Sequence, residues 1–471
     1  MEEKPSFFQR LKLHIIYYLN VATPHGLVHI VRPNRSSFEK IFWIICMILV
    51  SIPCVIIGKQ AWNRYRYNPT VTGILRDQQL WLHTFPCVTI CPTSLNPDSD
   101  FIMEVVYEYF GNKSYHVHQI NDTDEIEEKY VAGNQSLIQS FVNSLIFGNF
   151  STYKQLGKYK SDFDKINSHE YLELNDLITS KISKDFGHWN ATRTITEFGV
   201  CYSLNSILAK YSTVKKWRNK DMSFVKNYKV QTYAQTEEEP ILSLNDIVME
   251  ANIYFHSYNE IPTLLQKSLH LPQNYRMWIE VNSEKHASAE DIRSLSIEQR
   301  HCRFTDESDN LRYSPVYSYN LCRLECRMRL ALKLCKCFPF YYRSLYGEPI
   351  CTLDEMMCFS DYDYELIHLV NRTTRQSLCG MCDANCEAEI IKIESVNIVD
   401  WMFDSVLGVV LQFDSEIRLQ RVVIFSETDF LVQVGGLFGL AYGIGILSVV
   451  ELFYFCTLRF FWGVILTRIQ K

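Results

Sequence analysis

Two long apolar runs interrupt a chain in which apolar and polar residues otherwise alternate over short distances. The first run covers 41–58, contains no charged residue and has a lysine next to each end. The second covers 430–458 and contains one charged residue, Glu451. A membrane-spanning helix needs about 20 predominantly apolar residues. The pattern therefore predicts two transmembrane helices, with the large segment 59–429 between them.

The second run does not fit one straight helix across the membrane. Gly435 and Gly439 are four residues apart, a spacing that lets neighbouring membrane helices approach closely. On a straight helix, Gly435 and Glu451 would point about 160° apart, so both can line one permeation path only if the helix breaks between them. We predict the break at Gly443-Ile444-Gly445, because glycine accepts non-helical torsions and freed carbonyls are tolerated along a water-filled path.

Shorter patterns predict strands and a helix between the two runs. Residues 85–91 are rich in β-branched side chains and end at a proline, and 198–206 indicate a strand followed by a turn. The stretches 405–413 and 417–425 predict two strands that lead directly into the second run. The cysteine-containing stretch 322–337 predicts a helix.

The composition excludes several functional classes. The chain has 471 residues, of which 47% are hydrophobic and 21% charged, and its net charge is −6. This is enough apolar material for large cores, and the charge gives no reason to expect a nucleic-acid partner. The sequence has no phosphate-binding glycine loop, zinc-protease helix or Gly-x-Ser-x-Gly elbow. We therefore expect neither an enzyme nor a bound cofactor or metal.

Cysteines and glycosylation sequons indicate that the central segment is extracellular. Of the 16 cysteines, 13 lie within 59–429, and disulfides form in oxidising compartments. Six sequons in the same segment predict glycosylation at Asn112, Asn121, Asn134, Asn149, Asn190 and Asn371. We expect a plasma-membrane protein with a cytosolic segment 1–40, an extracellular domain 59–429 and a cytosolic tail 459–471.

Ten of these cysteines are concentrated in 302–386. Cys322 and Cys326 are four residues apart and would share one face of the predicted helix. An antiparallel segment carrying the last cysteines would give nested bridges, with two more at the tip: Cys302–Cys386, Cys322–Cys382, Cys326–Cys379, Cys335–Cys358 and Cys337–Cys351. Spacing alone leaves other pairings open, and a zinc site is the alternative for such a cluster.

A series of short motifs follows one order along almost the whole chain. It begins with His25-Gly26 and continues with Phe-Pro-Cys-Val-Thr-Ile-Cys at 85–91 and Phe-Gly-Val-Cys-Tyr at 198–202. The cysteine-dense region follows, and the series ends within 435–451, with Gly-Gly-Leu-Phe-Gly-Leu and then Leu-Ser-Val-Val-Glu. In this order the chain resembles the degenerin/epithelial sodium channel family, and within it the insect pickpocket branch.

The resemblance implies a fold and a function. The fold would be an α+β membrane protein in which two transmembrane helices carry a large, disulfide-rich, hand-shaped ectodomain with palm sheet, finger and thumb, the thumb being 302–386. Three identical or related subunits in the lipid membrane would form a voltage-independent, amiloride-sensitive channel for sodium, which is a permeant ion and not a cofactor. A sensory role with a mechanical or chemical stimulus is implied, and an extracellular ligand is left open.

The resemblance also implies roles for particular residues. The segment Gly443, Ile444 and Gly445 would form the narrowest belt of the pore. Glu451 would attract cations, and His25-Gly26 would form a second constriction on the cytosolic side. Gating would involve residues at the start of the second run, namely Val432, Gln433, Gly435, Gly436 and Gly439.

Three positions depart from the family pattern. Gly445 stands where the filter motif usually has serine, so we expect weaker selectivity for sodium over potassium. Gln433 replaces the aspartate of acid-sensing members, and Cys87 replaces an alanine. The family pattern supports the five bridges above and adds Cys91–Cys201. This leaves Cys87 either as a buried free thiol or as a cross-link to a partner.

Two other functions remain compatible with the sequence. The chain could be an auxiliary subunit that conducts only together with related subunits. It could also be a two-span receptor or adhesion glycoprotein without a pore. A membrane anchor has no reason to place Glu451 close to an interrupted glycine-rich segment, and this favours the two channel hypotheses.

Overall fold

The computed structural model describes residues 7–21, 25–32, 35–75, 82–93, 140–141, 144–145, 148–159, 191–209, 217–219, 230–234, 239–247, 249–342, 344–412 and 418–462. The chain forms two compact units. The first combines 1–72, 289–300 and 422–471, and the second combines 73–288 and 301–421. Both apolar runs therefore belong to the first unit.

Helices and strands are mixed along the described residues. The helices are α1 (Phe7–Val21), α2 (Leu27–Val31), α3 (Ser37–Tyr67), α4 (Ile297–Arg300), α5 (Tyr319–Leu334), α6 (Leu353–Asp361), α7 (Asp363–His368), α8 (Glu427–Tyr442) and α9 (Ile446–Tyr454), with 3-10 turns at Tyr153–Tyr159 and Glu290–Ser294 and a π-helical turn at Phe455–Arg459. The strands are β1 (Thr70–Leu75), β2 (Leu82–Thr84), β3 (Cys87–Pro92), β4 (Thr192–Thr196), β5 (Gly199–Leu204), β6 (Thr232–Ala234), β7 (Ile241–Ile247), β8 (Ala251–His256), β9 (Leu269–Leu271), β10 (Tyr275–Ser288), β11 (Cys302–Arg303), β12 (Ala384–Asn385), β13 (Ala388–Asp400), β14 (Ser405–Gln412) and β15 (Arg418–Val423).

Helix α3 begins directly after its N-cap residue, Ser36, and continues past the predicted span. The Ser36 hydroxyl accepts a hydrogen bond from the Glu39 backbone N–H (3.3 Å), which satisfies one of the free donors at the helix start. The helix has 31 residues, or roughly 46 Å at ~1.5 Å per residue. Among the described residues it is the one helix long and apolar enough to cross a membrane by itself. The predicted run 41–58 forms its middle.

The second apolar run forms a bent pair of helices. Helix α8 starts after Ser426, whose hydroxyl accepts from the Asp429 backbone N–H (3.2 Å), while the Asp429 carboxylate accepts from the Ser426 N–H (2.9 Å). Helix α8 ends at Tyr442, and the following segment up to Arg459 is bent away from it by 76°. The break lies at Gly443–Gly445. The pair is long and apolar enough for a span only when its two parts are taken together.

A five-stranded antiparallel sheet in the second unit has the order β4-β5-β3-β8-β9. Its middle strand β3 is buried along its whole length. The sequence pattern predicts this strand from Phe85, but it begins at Cys87. The reason is that Pro86 has no backbone N–H to donate, while the Phe85 N–H is used by the Gln231 carbonyl (3.0 Å).

The larger sheet is built around the 14-residue strand β10. The order is β1-β15-β10-β14-β7, with β13 also paired to β10. Strand β10 runs antiparallel to β13 and parallel to β14 and β15. Its alternate residues Met277, Ile279 and Val281 are fully buried, as the two-residue period of a strand requires. Gly408 in β14 lies so close to Trp278 that an added Cβ would overlap the indole ring.

The disulfides are concentrated around helix α5. The helix starts after its N-cap Ser318 and ends before Cys335, so it is shifted toward the N-terminus from the predicted range 322–337. Six bridges are present, and they are the pairs that the resemblance implies: Cys91–Cys201, Cys302–Cys386, Cys322–Cys382, Cys326–Cys379, Cys335–Cys358 and Cys337–Cys351. Cys87 is a free, fully buried thiol. Burial raises its pKa to about 12, which favours an inert thiol over a cross-link.

Glu260 connects the start of α5 to two other segments. Its carboxylate accepts hydrogen bonds from the Ser318 hydroxyl (2.9 Å), the Asn320 backbone N–H (3.2 Å) and the Asn385 side-chain amide. A carboxylate is favourable at a helix N-terminus. Burial nevertheless raises the pKa of Glu260 to about 7, although these hydrogen bonds act in the opposite direction.

We expect Glu260→Gln to remove part of the pH dependence of stability. The folded-state pKa of about 7 lies above the unfolded value of about 4.3. Its contribution to stability is therefore fully present below about pH 4 and is lost as pH rises through about 7. The difference between the urea midpoints at pH 5.5 and pH 8 should shrink in Glu260→Gln. The exposed Glu239→Gln is the matched control. A pH profile of Glu260→Gln parallel to that of the wild type would contradict this expectation.

Candidate permeation site

Two glycines in non-helical conformations build the break between α8 and α9. Gly443 ends α8 in the left-handed region (φ +69°), and its N–H donates to the Gly439 carbonyl at 2.9 Å. The Ile444 N–H reaches back to the Phe438 carbonyl at 3.4 Å, an arrangement typical of helix C-termini. Gly445 is extended and precedes the first turn of α9. The change of helix direction is thus confined to three residues.

The His25-Gly26 turn lies directly against this break. The His25 backbone N–H donates to the Tyr442 carbonyl at 2.7 Å. Tyr442 is the last residue of α8, so this bond satisfies one of the carbonyls left free at the helix end. A Cβ added to Gly443 would lie 2.8 Å from the His25 Nε2 atom. The structure therefore brings together two motifs, His25-Gly26 and Gly443–Gly445, for which the family resemblance implies a role in the pore.

Residues of α2 and α3 hold the turn in position. Gly26 has φ +91°, and a Cβ added there would lie 2.9 Å from the Met47 sulfur on α3. A larger residue would strain the backbone and press on α3. Three residues further along, the His29 ring stacks on Trp43, with ring centroids 4.6 Å apart and 14° between the planes. The His29–Trp43 stack holds the turn against α3, and the lack of a side chain at Gly26 lets the backbone approach Met47.

Glu451 lies on α9, on the far side of the break from α8. Its side chain is half-buried. Burial, together with the negative charge of Glu451, raises the pKa of Tyr18 on α1, which places this carboxylate within electrostatic range of the N-terminal helix. The glycine break and the carboxylate are therefore carried by successive parts of one bent helix pair.

A π-helical turn that ends at Arg459 follows α9 and was not expected from the sequence. The His14 Nε2 atom lies 3.0 Å from the Phe455 carbonyl oxygen, in position to donate a hydrogen bond. The Phe455 ring is buried and packs against Tyr18, with centroids 5.0 Å apart. The Arg459 guanidinium lies 4.3 Å above the Tyr17 ring, a cation–π contact. Helix α1 is thus attached to the end of the second apolar run.

The predicted gating residues lie on α8, ahead of the break. Four of them are exposed in the single chain: Val432, Gln433, Gly435 and Gly436. Val432 exposes 73% of its surface. A Cβ added to Gly435 or Gly436 would meet no atom of the described residues within 4 Å. Gly439 is nearer the break, since a Cβ there would lie 3.7 Å from the Ile444 carbonyl oxygen.

Two of the six predicted glycosylation sites lie among the described residues. Asn149 and Asn371 each occupy a turn in which the side-chain oxygen accepts the backbone N–H groups two and three positions further on. This is the geometry of an Asx-turn at the surface. The other four predicted sites and the end of the tail lie outside the described residues: Asn112, Asn121, Asn134, Asn190 and 463–471.

Known proteins are similar to this chain over most of its length. Residues 18–455 match the family model described as amiloride-sensitive sodium channel. The sodium channel protein Nach of Drosophila ananassae is 22% identical over 92% of this chain and 84% of its own length. Pickpocket protein 28 of Drosophila melanogaster is 22% identical over 95% and 79%. Human acid-sensing ion channel 2 is 19% identical over 96% and 88%.

The matched range includes both the His25-Gly26 turn and the break at Gly443–Gly445. The matching family is one of ion channels, which confirms that the chain is not an enzyme. Membership of an ion-channel family also argues against the hypothesis of a receptor or adhesion protein without a pore. The chain therefore belongs to the amiloride-sensitive sodium channel family, also called the degenerin/epithelial sodium channel family, as a pickpocket-like member similar to those of insects.

Proposed function

We propose that this chain is a subunit of a trimeric, voltage-independent, amiloride-sensitive sodium channel with a sensory role. The observation that carries the proposal is the glycine break at Gly443–Gly445 in direct contact with the His25-Gly26 turn. Helix α3 and the bent pair α8–α9 would be the two spans, and both termini would be cytosolic in the plasma membrane. The partners would be further copies of this chain or related subunits.

Three bent helix pairs around one axis would place three copies of the break at the same depth. Carbonyls released where α8 ends could replace part of the hydration shell of a sodium ion. The His25-Gly26 turns would support this belt and form a second constriction, while three copies of Glu451 would raise the local cation concentration. Because Gly445 lacks a hydroxyl, selectivity for sodium over potassium should be weaker than in members with serine.

The alternative function is that of an auxiliary subunit that conducts only beside related subunits. Voltage-clamp recording of the chain alone, and then together with related subunits, separates the two functions. An amiloride-sensitive current from the chain alone would support a homotrimer, and a current only on coexpression would support the auxiliary role. Surface protein without current in either experiment would contradict both.

We expect Val432→Phe to increase the resting sodium current. Val432 is largely exposed in the single chain, so a neighbouring subunit would cover it in a closed trimer. Overpacking such a contact costs about 1–3 kcal/mol, which shifts the ratio of open to closed channels about 5- to 150-fold. Val432→Gly should lower the current. The measurement is the amiloride-sensitive resting current per amount of surface protein.

Leu431→Phe is the matched control for this experiment. Leu431 is also exposed on α8, but it points about 100° away around the helix. Its replacement should leave the resting current close to that of the wild type. An unchanged current in Val432→Phe, or an equal increase in Leu431→Phe, would show that Val432 does not line the closing contact.

A further inference from the structure

One hydroxyl group stands in the middle of the first apolar run. Ser51 is the only residue of 41–58 that carries a side-chain hydroxyl, and it is half-buried on α3. The hydroxyl donates to the carbonyl of Met47, one turn earlier in the helix, at 2.7 Å. Serine side chains within membrane helices commonly form hydrogen bonds to a neighbouring helix. Ser51 is therefore a candidate for a contact between the two spans.

The structure places the Tyr442 hydroxyl against Ser51. The two hydroxyl oxygens are 2.5 Å apart. A hydroxyl has one hydrogen to donate. Because the hydrogen of Ser51 goes to the Met47 carbonyl, we assign Tyr442 as the donor and Ser51 as the acceptor. The bond joins α3 to the last residue of α8, and both helices belong to the same unit.

Tyr442 is held through its main chain as well as through its side chain. Its carbonyl accepts a hydrogen bond from the His25 backbone N–H at 2.7 Å. Its ring stacks on Phe438, one turn earlier on α8, with centroids 6.2 Å apart and 28° between the planes. Tyr442 directly precedes Gly443, where the helix ends. The residue before the break is thus fixed by two hydrogen bonds to two different parts of the chain.

Both of these parts meet on consecutive turns of α3. A Cβ added to Gly26 would lie 2.9 Å from the Met47 sulfur, so the turn that bonds Tyr442 rests on α3 one turn away from Ser51. Pro53 lies two residues further along the same helix. Proline has no N–H for the carbonyl four residues before it, so α3 lacks one of its own hydrogen bonds here. Helix α3 therefore departs from the regular pattern where it contacts the end of α8.

We propose that Ser51 and Tyr442 are positioning residues that set the ion selectivity of the channel, an inference that rests on the proposed function. Their hydrogen bond fixes the rotation of the last turn of α8 about the helix axis. It thereby fixes the direction of the carbonyls that this turn releases at Gly443. Selectivity depends on how many carbonyl dipoles face the ion and on how rigidly they are held. Neither hydroxyl needs to touch the ion for this effect.

Removing either hydroxyl should change the selectivity by the same amount. Tyr442→Phe keeps the ring but removes the donor, and Ser51→Ala removes the acceptor. Each variant should change at least one permeability ratio among lithium, sodium and potassium at least twofold. The double variant should change it no further, because the two groups share one bond. The measurement is the reversal potential under bi-ionic conditions, in whichever subunit combination conducts.

Two further variants separate positioning from a general loss of structure. Ser51→Thr keeps a hydroxyl that can bond the carbonyl one turn earlier, so it should retain the permeability ratios of the wild type. Tyr454→Phe is the matched control, because it removes a hydroxyl from an exposed ring elsewhere in the second apolar run. It should also leave the ratios unchanged.

Thermal unfolding of the purified protein in detergent tests the hydrogen bond without any current. Ser51→Ala and Tyr442→Phe should each lower the midpoint of unfolding. The double variant should lose no more than the less stable of the two single variants, since the bond can be removed only once. Additive losses would show that the two hydroxyls act independently, and would overturn the proposal.

The current measurements distinguish this proposal from the proposed function. An amiloride-sensitive current with unchanged permeability ratios in Tyr442→Phe would overturn the positioning role and leave the channel function intact. A change in Tyr442→Phe that Ser51→Ala does not reproduce would show that Tyr442 acts without α3, which also overturns it. Surface protein without current in every subunit combination would contradict the channel function itself, and the proposal would fall with it.

Discussion

Replacing Arg327 by Met should lower the free energy of unfolding by about 3–5 kcal/mol, the usual effect of removing one partner from a buried ion pair. The side chains of Arg327 and Glu197 are each only 1% exposed. The variant would leave the Glu197 carboxylate buried without its counter-charge. The measurement is urea unfolding of the disulfide-intact full-length protein in detergent, followed by tryptophan fluorescence.

The expected loss of stability is large because several segments of the chain meet at the Arg327 guanidinium. The Arg327 Nε atom donates to the Leu366 carbonyl at 2.5 Å, and Nη2 donates to the Ile367 carbonyl at 3.4 Å, both on α7. The Nη1 atom donates to Glu197 in the turn between β4 and β5. Methionine keeps an unbranched side chain like the aliphatic part of arginine but offers none of these donors, so two carbonyls and one carboxylate would lose a partner.

Arg323→Met is the matched control on the same helix. Arg323 lies one turn before Arg327, and its guanidinium donates to the Tyr319 hydroxyl at the surface (3.3 Å). Its replacement should cost at most about 1 kcal/mol. The double variant Arg327→Met/Glu197→Leu should recover part of the stability, because it leaves no buried charge. A loss in Arg327→Met no larger than in Arg323→Met would show that the ion pair is not important for stability.

The nesting of the bridges on α5 could be anticipated from spacing along two segments, whereas the choice among the possible pairings, and Cys91–Cys201, came from the family resemblance. Cys322 and Cys326 lie on consecutive turns of α5, and they bond to Cys382 and Cys379 in reverse order, as two antiparallel segments require. The ends of α5 could not be anticipated in the same way. Its start depends on the cap at Ser318, which precedes the cysteines and carries no apolar signal.

The break in the second apolar run could also be derived from the sequence, because glycine torsions and helix geometry are local properties. The ends of α3 could not. Lys59 ends the apolar run, yet the helix continues through Lys59 and Arg64, since a helix needs apolar residues only where lipid surrounds it. The π-helical turn after α9 has no local signal in a stretch where every residue is compatible with an ordinary helix.

Contacts between polar groups far apart in the chain could not be predicted from the sequence. No local pattern indicates that His25 meets the end of α8 at Tyr442. Likewise, Glu197 and Arg327 look like surface residues by type, because charged side chains are rarely fully buried unless they are paired. Hydrophobic periodicity indicates which elements form and which of their faces are buried. It does not identify the partner of a buried polar group.

Replacing Gly443 by Ala should reduce the current per surface channel at least tenfold. Gly443 has φ +69°, a conformation that costs a residue with a Cβ about 1–2 kcal/mol. The new Cβ would also lie 2.8 Å from the His25 Nε2 atom. Either the chain leaves the left-handed conformation and α9 turns to a different angle, or the His25-Gly26 turn moves away from the break. A cost of about 1.4 kcal/mol already changes an equilibrium tenfold, and every copy of the chain in a channel would carry it.

Gly58→Ala is the matched control, because a Cβ at this position of α3 meets no described atom within 4 Å and alanine is favourable inside a helix. Its current should stay close to that of the wild type. The double variant Gly443→Ala/His25→Ala removes the side-chain contact but keeps the torsional cost, so it should recover only part of the current. The measurement is the amiloride-sensitive current per surface subunit, in whichever subunit combination conducts. An undiminished current in Gly443→Ala would show that the break does not shape the permeation path. Equal losses in both single glycine variants would show that helix packing sets the current, and not the turn of the chain at Gly443.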